Sequence, residues 1–79
     1  MKIQIIGEKS SNRIKLLKNL NKATKEKTIN VQLEILDDDK TLNKYQNMNK
    51  PILIINDKIV SNGKILSDRE IKNFIKLLS

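Results

Sequence analysis

The sequence predicts an α/β domain in which one mixed four-stranded sheet carries helices on both faces, in the order β-α-β-α-β-β-α. Three observations predict it. Apolar runs of strand length occupy residues 2–6, 29–36, 52–55 and 58–61. Segments 11–27 and 67–78 instead repeat their apolar residues at three- and four-residue spacing, the period of an amphipathic helix. Short turn signals (Gly7, Asn56-Asp57 and Asn62-Gly63) punctuate the runs, so that neighbouring elements are closely connected.

Lys2-Ile3-Gln4-Ile5-Ile6 reads as the first strand and ends at Gly7. The following helix puts Leu16, Leu17, Leu20, Ala23 and Thr24 on one stripe with lysines opposite, and it runs to about Lys27. Ser10 or Ser11 is suited to cap it, because a hydroxyl accepts from a first-turn amide that has no intrahelical partner. In 29–36, Val31, Leu33 and Ile35 alternate with Asn30, Gln32 and Glu34, which predicts a half-exposed strand at a sheet edge. Residues 40–47 form a short helix with Leu42, Tyr45 and Gln46 on one face.

Asp37-Asp38-Asp39 precedes that helix, where negative charge complements the helix dipole. Hard cations need several oxygen ligands that converge, usually from alternating loop positions, so three consecutive carboxylates read as a cap and no metal is expected. Ile52-Leu53-Ile54-Ile55 is continuously apolar, as in a strand buried on both faces. Asn56-Asp57 turns it into Lys58-Ile59-Val60-Ser61 as a hairpin. Ser67 and Glu70 form a capping box for a last helix with Ile71, Phe74, Ile75 and Leu78 on its inner face. The right-handed crossover makes the first two strands parallel, and the hairpin adds an antiparallel edge.

Residues 1–79 read as one domain, with no repeat or linker. The chain contains neither cysteine nor histidine, which removes disulfides, Cys/His zinc sites and histidine acid–base catalysis. A serine hydrolase is excluded with them, since no histidine is present and no Ser-Lys dyad is indicated by spacing. Stability must come from aliphatic burial, at about 1.5–3 kcal/mol for each fully buried Ile or Leu before ordering entropy is subtracted. A net charge of +7 favours acidic partners, and the excess gathers at Lys9, Arg13, Lys15, Lys18, Lys22, Lys25 and Lys27. The first apolar run is too short for a signal peptide and no run is long enough to span a membrane, so a soluble cytoplasmic protein without membrane attachment is expected.

The order and spacing of these pieces carry a resemblance. Met1-Lys2-Ile3-Gln4-Ile5-Ile6-Gly7 opens straight into a loop and a helix bearing Leu16, Leu20 and Ala23. Lys50-Pro51-Ile52-Leu53-Ile54-Ile55-Asn56, Lys58-Ile59-Val60-Ser61-Asn62-Gly63-Lys64 and the closing 67–78 helix follow. Over essentially its whole length the chain resembles the thioredoxin fold in its shortest form, in particular the archaeal and bacterial thioredoxin-like proteins known as redox-active disulfide protein 2. The resemblance implies a nucleophilic cysteine at position 10 and a resolving cysteine at position 13; Ser10 and Arg13 stand there. Thiol–disulfide exchange needs a thiolate, and a serine hydroxyl neither ionises comparably nor forms a disulfide. The resemblance also implies that the bond before Pro51 is cis, that Pro51 faces the loop, that the main chain of Lys50 pairs with an extended substrate peptide, and that Gly63 turns near the same groove. Lys50 departs from the Thr or Val more usual in the family.

What is expected is a redox-inactive binding module with no cofactor. Its degenerate loop is Ser10, Ser11, Asn12 and Arg13, and its groove is Lys9, Lys50, Pro51, Gly63 and Lys64. A protein or peptide is the expected partner, and a small anion is a candidate at the helix N-terminus, where amides, hydroxyls, Lys9 and Arg13 converge. The alternative is nucleic acid or another polyanion along the basic first helix, against which stands the near absence of aromatic stacking residues. Some transferases of this fold use a serine near position 10 to hold a glutathione thiolate, but they draw their substrate pocket from an additional helical domain, and none is expected in these 79 residues.

Overall fold

The computed structural model describes residues 1–25 and 30–78. The elements are β1 (Lys2–Ile6), α1 (Ser11–Ala23), β2 (Gln32–Leu36), α2 (Asp39–Lys44), β3 (Ile52–Ile55), β4 (Lys58–Asn62) and α3 (Asp68–Leu78). They form one four-stranded sheet in the order β2-β1-β3-β4. β1 and β2 are parallel, with Ile3 beside Leu33 and Ile5 beside Ile35. β3 runs antiparallel to both β1 and β4. Fold class, element order and the mixed sheet agree with the sequence.

Alternation along the strands sorts the core onto the two faces. Ile3, Ile5, Leu53 and Ile55 point to one side and pack with Leu16, Leu20 and Ala23 of α1, Leu66, and Ile71 and Ile75 of α3. Ile6, Ile52 and Ile54 point to the other, where Leu36, Leu42, Tyr45 and Met48 half-cover them. β3 is therefore buried throughout, as its unbroken apolar run predicts.

Local chemistry explains the boundaries. Asn56 (φ 49°) and Asp57 (φ 67°) both adopt left-handed backbone, the requirement of a tight two-residue hairpin turn. Asn56 does more than turn: its Oδ1 accepts from the Lys2 N–H at 2.9 Å and its Nδ2 donates to Leu78 O at 2.9 Å, joining hairpin, β1 and the end of α3. The capping box of α3 closes in both directions, Ser67 N–H to Glu70 Oε1 at 3.1 Å and Glu70 N–H to Ser67 Oγ at 3.2 Å.

Three expectations need correction. Helix α1 stops at Ala23, because the N–H and the hydroxyl of Thr24 both donate to Leu20 O and close the last turn; the predicted terminus at Lys27 lies outside the described residues. The second strand begins at Gln32; Ile29, its predicted start, also lies outside them. Leu33 and Ile35 remain 39% and 38% exposed, so the strand is the half-exposed edge strand that its alternation predicts. Helix α2 ends at Lys44, after which Tyr45, Gln46 and Met48 donate to carbonyls three residues back and tighten the chain into turns. No helix among the described residues is long and apolar enough to cross a membrane.

Candidate functional site

The C-terminal end of β1 and the N-terminal end of β3 meet where Ile6 pairs with Ile52. Beyond them the chain turns sharply on both sides, through Gly7 into α1 and through Pro51 into β3. The Lys50–Pro51 peptide is cis. Gly7 and Pro51 approach so closely that a side-chain carbon on Gly7 would stand 3.3 Å from Pro51 Cα, so position 7 has little room for anything larger. A cleft of about 360 Å³ opens at this junction, lined by Gly7, Glu8, Ser10, Leu42, Gln46, Lys50 and Pro51.

The degenerate loop is structurally committed. Ser10 is the N-cap of α1, with Oγ accepting from the Arg13 N–H at 3.1 Å while Ser10 O accepts from Ile14 N–H. That leaves the amides of Ser11 and Asn12, both exposed residues, as the first-turn donors without an intrahelical acceptor. Arg13 turns away from the cleft. Its Nη1 donates to Gly7 O at 3.1 Å and to Asp37 Oδ2 at 3.2 Å, and its side chain is only 14% exposed. Where the family resemblance puts a second sulfur, an arginine clamps the turn after β1 to the end of β2.

Lys50 is committed as well. Its Nζ donates to Tyr45 O at 3.0 Å and to Met48 O at 3.1 Å, satisfying carbonyls of the turn that follows α2. The cation thus faces the protein, while neither its main-chain N–H nor its C=O has a partner among the described residues. Gly63 buttresses the cleft from behind: its N–H donates to Pro51 O at 2.9 Å. Its φ of +70° is left-handed, and an added Cβ would stand 2.6 Å from Asn49 Cβ, so glycine is required there.

Of the residues expected to form the site, the fold brings Ser10, Lys50 and Pro51 into the cleft and sets Gly63 against Pro51. Lys9, Ser11 and Asn12 are exposed and do not line it. Lys64 belongs elsewhere, in a separate depression beside Val60, Ser61, Leu66, Glu70 and Phe74. Glu8, Leu42 and Gln46 were not expected in the site. Leu42 and Gln46 share a face at i, i+4 spacing, a signal legible in the sequence, but which sheet end that face covers depends on the path of the chain.

The aspartate triplet divides its work. Asp37 holds Arg13, and Asp38 caps α2 by accepting from the Thr41 N–H at 3.1 Å. Those Thr41 hydrogen bonds hold the Asp38 carboxyl below its ordinary range. Among the described residues no group of acidic side chains is placed to hold a metal ion.

A parallel β1–β2 pair, an antiparallel β3–β4 hairpin and a cis-proline facing the N-terminus of the first helix define the class: a thioredoxin-type scaffold carrying no thiol. The chain belongs to the thioredoxin domain family, whose model matches residues 1–76. Comparison with curated proteins and with solved structures finds no significant match.

Proposed function

We propose that this protein is a redox-inactive thioredoxin-fold binding module whose cleft receives an extended peptide segment alongside Lys50 and Pro51. The observation that carries it is the pairing of an open cleft of about 360 Å³ with a Lys50 main chain at its rim that has no partner among the described residues. A strand-like peptide recognised by main-chain hydrogen bonds needs such donors and acceptors, with neighbouring side chains supplying specificity. Leu42, Gln46 and Glu8 would contact that peptide's side chains. With no cysteine in the chain, the cleft retains recognition without electron transfer.

The small-anion role is the weaker part of the expectation, because Arg13 is held by Asp37 and Lys50 by Tyr45 and Met48, and Glu8 adds a carboxylate to the cleft. Titrating isotopically labelled protein with an extended peptide, phosphate and oxidised glutathione in turn separates these cases. The peptide is expected to move the amides of residues 8–10, 42–46 and 50–51. If no probe moves any of them, the cleft is not a binding site.

One observation favours a polyanion as a second partner. Lys15, Lys18 and Lys22 lie exposed at i, i+3 and i+7 on α1, which has no acidic residue between Ser11 and Ala23. Contact with phosphates along this face would weaken steeply with salt. Single-stranded nucleic acid that fails to shift in a gel at low salt would remove this role.

A further inference from the structure

We propose that the open edge of β2 is a homodimer interface, at which two copies of this chain pair antiparallel about a two-fold axis through Leu33 and form one continuous eight-stranded sheet. The direction of the β2 main chain is fixed by its bonds to β1. Gln32 N–H donates to Met1 O at 2.8 Å, and Leu36 O accepts from Gly7 N–H at 3.1 Å. Even-numbered residues of this strand therefore direct their main-chain groups at β1, and Leu33 and Ile35 direct theirs outward. The same two residues carry the half-exposed apolar side chains, on the α1 side of the sheet beside Ile3 and Ile5. Outward hydrogen-bonding groups and uncovered apolar surface thus coincide on one strand.

The two edges of the sheet are treated differently. β4 carries Lys58, and its pairing with β3 shifts register between Leu53 and Ile54, an irregularity that discourages an added strand. β2 pairs with β1 without a break from Gln32 to Leu36, and it contains no lysine, proline or glycine. A regular edge with exposed apolar side chains is a template on which another strand can pair.

The strand's own sequence selects a second copy. About Leu33, the run Val31-Gln32-Leu33-Glu34-Ile35 is self-complementary: Val31 faces Ile35 of the other copy, Leu33 faces Leu33, and Gln32 faces Glu34. Outward main-chain groups then meet as hydrogen-bonded pairs, and the polar pairs join an amide donor to a carboxylate. An axis through Glu34 would instead set two carboxylates directly opposite each other, which is unfavourable. None of the residues lining the cleft belongs to β2, so the dimer leaves it open.

Sedimentation across a protein concentration range tests the pairing, with amide exchange measured at each step. The full chain is expected to pass from the 9.1 kDa monomer to a dimer as concentration rises. Leu33 and Ile35 amides should gain protection in parallel, while those of Gln32 and Glu34 are protected throughout. Gln32→Lys, which faces Glu34 across the axis, should tighten the dimer about three- to tenfold, and Gln32→Glu should weaken it comparably. Leu33→Lys should leave a folded monomer by circular dichroism. A chain that stays monomeric up to about 1 mM would overturn the proposal, as would a dimer indifferent to both Gln32 substitutions. Protection of Leu33 and Ile35 appearing only on addition of an extended peptide would assign the edge to a foreign strand and overturn it equally.

Discussion

The two faces of the sheet are unequal. On one, α1 and α3 cover Ile3, Ile5, Leu53 and Ile55, and α1 and α3 also pack on each other. On the other, three buried isoleucines are covered by α2 and its turn, and α2 contributes no buried residue. The first face holds the molecule together. The second is thinly covered, and that is where the cleft opens. Neighbouring residues of one strand, Ile5 and Ile6, sample the two environments at equal burial.

That pair gives the largest expected effect. Ile5→Ala should lower stability by about 3–5 kcal/mol and Ile6→Ala by about 2–3 kcal/mol, because a cavity under α2 can collapse more readily than one between two helices. Denaturant titration of both variants checks it, and equal losses would erase the contrast between the faces. Gly63→Ala comes next, at about 1–3 kcal/mol from its left-handed backbone and the Asn49 contact. Its loss should be accompanied by shifts at Pro51, through Gly63 N–H to Pro51 O, that are absent in Ile5→Ala.

Arg13→Ala should lower the unfolding midpoint by the equivalent of about 1 kcal/mol, since its partner Asp37 is solvent-exposed and the ion pair is correspondingly screened. High salt should shrink the difference between wild type and variant. The smallest effect belongs to Asp38. Its folded-state pKa lies below the ordinary 3.8, so its contribution is fully present above that value and fades as pH falls through the lowered pKa. Carboxyl shifts followed by NMR should show Asp38 titrating below the ordinary aspartate value, and Thr41→Pro should raise its pKa by removing the donated N–H.

Much of the fold was legible because its signals are local. The Ser67–Glu70 box, the Asn56-Asp57 turn and the apolar run of β3 each declare themselves within a few residues. What was not legible depends on partners far along the chain. Alternation in β2 shows that Leu33 and Ile35 share a face, but not how far that face is covered. Arg13 reads as a free cation until Asp37, 24 residues later, is placed beside it. Lys64 follows Gly63 in sequence, yet it leaves the groove for the α3 side, because one residue of turn separates two faces of a thin molecule.

Arg13 also decides what a thiol at its position would displace. A cysteine placed at that position would release Asp37 and the Gly7 carbonyl together, loosening the turn that seats the loop. Because Ser10 carries no sulfur either, that exchange would supply one thiol and no dithiol, while removing the anchor of the turn.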